Sequence, residues 1–301
     1  MRKSTAFAPG HITGFFQICD QPEDPLFRGS RGAGVSLAQG VYTTVTVEDA
    51  EETSYSVKIN GREAPEATVS ENVLGKLLPR LTTPQIISVE HFIETPQGSG
   101  FGSSGGGALT LSLALNDALG LGLTRVEAAR VAHVAEIECR TGLGTVYAAL
   151  VAGFGVLIRQ GGPGIAESLR YGDTSGLRVV YLHFGPIETS KALSDPVLRR
   201  RINDLGGSFV DQISRDQKPD LFMSLARRFT DHVGLATPRL RKVFKEADQA
   251  GIPCAMAMFG EVAFSLVERS RAHEAATVFE RAAPGYEAVI CSIDYEAARL
   301  V

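Results

Sequence analysis

The stretch Thr95-Pro-Gln-Gly-Ser-Gly-Phe-Gly-Ser-Ser-Gly-Gly-Gly-Ala108 lies between an alternating segment, Ile86–Glu94, and an apolar run that carries Leu109, Leu111, Leu113, Leu115 and Leu119. Gly98, Gly100, Gly102, Gly105, Gly106 and Gly107 remove the side chains that would keep a ligand away from backbone N–H groups. Ser103 and Ser104 add hydroxyl donors. The spacing behind the loop predicts a helix that starts near Gly105 and runs to Leu119, with its positive end turned toward the same loop. Such a cradle suits an anion, above all a phosphate. A flexible linker of this composition would be expected between polar flanks, not between a strand and an apolar helix.

Two familiar phosphate motifs are excluded. Nowhere does the chain contain Gly-x-x-x-x-Gly-Lys-[Ser/Thr], so the loop is not a Walker A loop. Gly100-Phe-Gly-Ser-Ser-Gly105 fits Gly-x-Gly-x-x-Gly, but a dinucleotide fold needs a second parallel strand ending in an acid soon after the helix. Here another helix follows, and Asp117 lies inside the first one.

Upstream of the loop the chain is β-rich. Thr5–Ala8 predicts a short strand, Pro9-Gly10-His11 a turn, and Ile12–Cys19 a second strand. Arg28-Gly-Ser-Arg-Gly-Ala-Gly34 is expected as a second glycine loop. Val41–Glu48 and Ser54–Asn60 are expected as a hairpin turning at Asp49–Thr53. Val69–Leu81 has helical spacing, and Gln85–Glu94 delivers the chain to the phosphate loop.

Downstream, Thr124-Arg-Val-Glu127 is a capping box that opens a helix carrying Ala128, Val131, Ala132, Ala135 and Ile137. His133, Glu136 and Arg140 follow one another along that helix, which Arg140-Thr-Gly-Leu-Gly-Thr145 breaks. Gly153–Arg159 is expected as a strand. The glycines around Gly161 mark a change of regime, so two domains are expected, 1–170 and 171–301. The second half alternates: strand Leu177–Phe184, helices near Asp195–Leu205, Pro219–Val233 and Pro238–Gln249, strand Cys254–Met258 with a tight turn at Phe259-Gly-Glu261, helix Ala272–Ala282, strand Ala288–Asp294. A mixed α+β architecture follows.

Composition narrows the function classes. With 301 residues, 44% of them hydrophobic, the chain can bury a large core. The net charge of −4, with both signs mixed, provides no footprint for nucleic acid. The longest uncharged apolar run, Val146–Ile158, is too short and too glycine-broken to cross a bilayer. Pro9, Gly10 and His11 interrupt any secretory signal, so a cytoplasmic location with no membrane partner is expected. The four cysteines are scattered with no Cys-x-x-Cys, and the six histidines show no zinc spacing. Any metal is expected to have oxygen ligands.

Three stretches then fall in a familiar order: Ala8-Pro-Gly-His-Ile-Thr-Gly-Phe-Phe16, Pro96–Ala108, and Ala255-Met-Ala-Met-Phe-Gly-Glu-Val-Ala-Phe264. They resemble the three motifs of the GHMP kinases. Within that superfamily the chain is similar to the archaeal pantoate kinases, through the first motif, Gly29-Ser-Arg-Gly-Ala-Gly34, Ala132-His-Val-Ala-Glu136 and Arg140-Thr-Gly-Leu-Gly144. His11 separates it from most other members, which place Lys or Arg after Pro-Gly. The resemblance implies a β/α N-terminal domain joined to a ferredoxin-like C-terminal domain. It also implies an ATP- and Mg²⁺-dependent kinase, a homodimer by family habit, that phosphorylates the terminal hydroxyl of pantoate on the way to coenzyme A.

What the resemblance implies for single residues is also definite. Gly98, Ser99, Gly100, Gly102, Ser103, Ser104 and Gly105 would hold the nucleotide, with Ser104 and Glu136 sharing the metal. Ser30, His133, Arg159 and Thr189 would face pantoate, Arg159 taking its carboxylate in competition with Arg140 and Arg31. One departure stands out. After Gly144 the pantoate kinases carry an Asp, the presumed base, where this chain has Thr145. A threonine hydroxyl does not accept the substrate proton at neutral pH. Two other readings therefore stay open: a kinase of the same fold for another small hydroxy acid or isoprenoid precursor, and a nucleotide-binding protein of impaired activity.

Overall fold

Alternation along two long segments builds the first sheet. The computed structural model describes residues 1–187 and 193–301. β1 (Arg2–Cys19) and β2 (Gly29–Asp49) pair antiparallel from Arg2 opposite Val47 to Cys19 opposite Gly29. Pro9-Gly10 therefore does not turn the chain. The proline's fixed φ suits extended backbone, and its missing N–H is absorbed by a register shift between Pro9 and Gly10. The stretch 28–34 is likewise not a loop, because Gly29–Gly34 open β2. The glycines there permit close strand approach: a Cβ on Gly32 would lie 2.8 Å from the Phe15 carbonyl oxygen.

The expected hairpin also gives way. β3 (Ser54–Ile59) pairs with the two-residue β4 (Arg62–Glu63). β5 (Gln85–Ile93) inserts between β2 and β3, antiparallel to the first and parallel to the second. Burial explains the order. β5 alternates with Ile87 and Val89 inward, whereas β3 buries only Val57 and belongs near an edge. The parallel pair is closed by a crossover through α1 (Thr68–Leu77).

α2 (Ser103–Leu119) and α3 (Arg125–Cys139) lie with α1 on one face of this sheet, their leucines and alanines meeting Val45, Val47, Ile87 and Val89. α3 opens with the expected box, Thr124 and Glu127 each bonding the other's backbone. α4 (Thr145–Val151) leads to β6 (Phe154–Arg159), which pairs with the glycine-rich half of β2. β7 (Glu167–Arg170), not anticipated, pairs with β6.

β8 (Leu177–Pro186), β9 (Ala255–Met256), β10 (Gly260–Glu268) and β11 (Ala288–Cys291) form a second, antiparallel sheet in the order β11-β8-β10-β9. α5 (Pro196–Arg215), α6 (Pro219–Val233) and α7 (Pro238–Gln249) fill the first crossover and α8 (Ala272–Ala282) the second. Strand–helices–strand–strand–helix–strand in this order is the ferredoxin-like arrangement the resemblance implies. Phe15 and Phe16 of β1 reach into it, Phe15 lying 5.9 Å from Phe222 and Phe16 6.1 Å from Phe229 between ring centroids. β12 (Arg299–Leu300) then returns to pair with β1 at Phe7 and Ala6. Among the described residues no helix is long and apolar enough to cross a membrane.

Candidate active site

The phosphate loop is set by three backbone positions. Gly98 (φ 66°), Gly100 (φ 78°) and Gly102 (φ 70°) are left-handed, where any other residue would be strained. Gly102 is the N-cap of α2 and no side chain caps it. The first intrahelical bond runs from Gly106 N–H to the Gly102 carbonyl, at 2.9 Å. The N–H groups of Ser103, Ser104 and Gly105 are thus left for a ligand. Both sheets clamp the loop. His11 N–H bonds the Phe101 carbonyl at 2.9 Å, and Ile187 N–H bonds that of Gly98 at 3.1 Å. Ser99 is buried, its hydroxyl 2.7 Å from His183 Nε2 and donating to the Gln97 carbonyl, so that hydroxyl braces the loop from within.

Gly105 is the point on which the chemistry converges. A Cβ there would lie 2.7 Å from Glu136 Oε2 and 2.9 Å from the Thr145 Cβ. Ser104, Glu136 and Thr145 line one cleft together, with Ser30, Ser103 and the loop glycines 98, 100 and 102. The cleft is lined from the first sheet by His11, Gly32 and Val156 and from the β9–β10 turn of the second by Met258 and Phe259, so it opens between the two. Glu136 is 2% exposed, and burial pushes its carboxyl up to about 8. It sits between Gly105 and Gly142 and has no cationic partner among the described residues. Ser30 touches the turn into α4: a Cβ on Gly144 would lie 2.6 Å from its Oγ.

Other expected site residues lie elsewhere. His133 is 1% exposed and donates from Nε2 to the carbonyls of Pro25 (3.3 Å) and Arg28 (3.1 Å), so it ties down the 22–28 segment and does not line the cleft. Arg159 turns outward, its Nε on the Ile165 carbonyl at 2.9 Å and its Nη2 on Glu167 at 2.8 Å. Arg31 is taken by Asp211. Thr189 lies outside the described residues.

His11, Thr13, Ser36, Thr141 and Arg170 line the cleft without having been singled out as ligands. His11 and Thr13 share a face of β1, a period-2 signal present in the first motif. Burial brings His11 down to about 4, so the imidazole is neutral. Arg170, at the end of β7, has no carboxylate partner among the described residues; nothing in the sequence marked β7 as a cleft wall.

A glycine loop opening a buried helix, with one buried carboxylate against that helix's first turn and a cleft opening between two such sheets, is the arrangement of a GHMP kinase. Residues 70–153 match the family described as GHMP kinases N terminal domain. The chain is 35% identical over 276 residues to the pantoate kinase of Thermococcus kodakarensis, covering 90% of this chain and 89% of that one. It is 33% identical over 272 residues to the pantoate kinase of Methanospirillum hungatei, with 90% and 89% covered. A solved structure described as a phosphotransferase related to the CoA biosynthesis pathway superposes with a TM-score of 0.90 at 32% identity, over 99% of this chain and 98% of that one. The chain belongs to the pantoate kinase family.

Proposed function

We propose that this protein transfers the γ-phosphoryl group of ATP to the terminal hydroxyl of pantoate. The observation that carries the reading is the uncapped N-terminus of α2 opening onto the same cleft as the buried, unpartnered Glu136 carboxylate. Backbone amides of 98–105 nest the β- and γ-phosphates, and Ser103 adds its hydroxyl. The donor set fits a magnesium ion: one buried carboxylate without a cationic partner among the described residues, lining the same cleft as Ser104, whose hydroxyl is a hard oxygen donor. Glu136 and Ser104 would hold that ion, which when bound neutralises phosphate charge. Ser30, beside the Gly144 turn into α4, orients the acceptor hydroxyl.

Thr145 leaves its wall without a base, so transfer relies on positioning and charge, the terms that dominate phosphoryl transfer. For the acceptor carboxylate the geometry favours Arg170 over Arg159, since Arg170 lines the cleft and Arg159 is bonded outside it. Arg170→Ala is expected to raise the KM for pantoate about fivefold with the KM for ATP unchanged, whereas Arg159→Ala changes neither. ADP-coupled kinetics on both variants decide this, and the opposite pattern would return the carboxylate to Arg159.

A cytoplasmic location, supported by four free thiols, a homodimer, and a division near residue 170 go with this reading. ADP release measured with pantoate, mevalonate, homoserine and sugars tests it. Turnover on another acceptor but not on pantoate would overturn it.

A further inference from the structure

Beneath the phosphate loop lies a buried polar chain that phosphoryl transfer itself does not use. Behind Ser103 and Ser104, α2 continues with three glycines: Gly105 faces Glu136, and a Cβ on Gly106 would lie 3.2 Å from Val41. Gly105, Gly106 and Gly107 have only their backbone to fix the helix's rotation and height on the sheet there. Thr110, one turn later, holds it there, its Oγ1 donating to the carbonyls of Gly106 (2.9 Å) and Gly107 (3.1 Å). Thr110 Oγ1 also meets Thr43 Oγ1 of β2. Thr43 Oγ1 lies 2.7 Å from Nδ1 of His91 on β5, and His91 Nε2 lies 3.0 Å from Ser70 Oγ of α1.

The direction of every bond follows from one end. Carbonyls only accept, so Thr110 donates to them and its oxygen accepts from Thr43. Thr43 then accepts from His91 Nδ1–H, and Nε2 accepts from Ser70. One neutral tautomer satisfies the whole chain. Burial agrees, bringing His91 down to about 4. Thr43 and Thr110 are fully buried and His91 is 2% exposed. Apolar residues would fill this space as stably. What the polar chain adds is a single registration of α1, β2, β5 and α2 on the Gly106 and Gly107 carbonyls, next along the helix from the free N–H groups.

We propose that His91 is a positioning residue for the nucleotide, acting through Thr43 and Thr110 on Gly106 and Gly107, directly behind the Ser103, Ser104 and Gly105 N–H groups that hold the phosphates. The inference rests on the reading that ATP binds there.

Thr110→Val, which keeps shape but breaks the chain, is expected to raise the KM for ATP about fivefold while the KM for pantoate stays within about twofold. Thr110→Ser restores it. His91→Leu behaves like Thr110→Val, and His91→Asn, which keeps a donor near Nδ1, recovers most of the loss. The double variant is no worse than either single one, because both cut the same chain. Thr43→Val breaks it from the sheet side if His91 variants fold poorly. Variants that melt earlier with an unchanged KM for ATP, or whose effects add, would overturn the proposal. Wild-type protein that binds no ATP analogue would remove the reading beneath it as well, which separates the two failures.

Discussion

Glu136→Gln lowers turnover by on the order of 10³-fold, and the same substitution makes the nucleotide-free protein melt higher at pH 8. The loss follows from removing the one carboxylate that lines the cleft among the described residues, at a place where Gly105 and Gly142 leave it no protein partner. The gain follows from linkage. The folded carboxyl titrates at about 8, above its ordinary value of 4.5. Between those values the folded state keeps a proton that the unfolded chain has released, so stability falls as pH rises from about 5 to about 8. Glutamine carries no such proton, and that slope disappears in the variant. Thermal melts at pH 5 and pH 8 without nucleotide, beside ADP-release rates, check both halves. Parallel melting curves for the two proteins would show that Glu136 is already neutralised by a partner.

Thr145→Asp raises turnover at least tenfold and toward 10², with little change in ATP affinity. Thr145 is the first residue of α4, and its Cβ packs on Gly102 and Gly105, within the cleft that also holds Glu136 and Ser30. A carboxylate there gains from the helix N-terminus and supplies the base that the pantoate kinases are expected to carry. It also lies beside Glu136, and two like charges around Gly105 lower the melting temperature of the nucleotide-free variant at pH 8; magnesium and ATP restore it. An unchanged or lower rate would mean that positioning alone supports the reaction, as the fold's amide cradle and Glu136 permit.

The same logic separates what was legible from what was not. The capping box joins residues three apart, Thr124 and Glu127. The helix behind the glycine loop is written in leucines within a few turns of one another, and the uncapped end at Gly102 follows from local composition. Each of these depends on neighbours along the chain, so the pattern alone carries it. Gly29–Gly34 looked like a loop because its glycines answer to Phe15 and His11 on another strand. Pro9 looked like a turn because the bulge that accommodates it needs β2 opposite.

The sites divide the same way. The glycine loop and the helix behind it were readable from composition and spacing, and Glu136 was singled out only through the family resemblance, whereas the outward turn of Arg159 depends on Ile165 and Glu167, and the inward turn of His133 on carbonyls more than a hundred residues away. β7 and its Arg170 became a cleft wall only once β6 had paired with the glycine half of β2. From the sequence alone came the anion cradle, the helix behind it, the α+β class and the family resemblance, because these are short-range patterns of backbone freedom and burial. Tertiary structure alone decided the strand order β2-β5-β3, the convergence of Glu136 and Thr145 on Gly105, and the facing of Arg159 and Arg170, because a side chain's direction is set by whichever distant surface buries its strand.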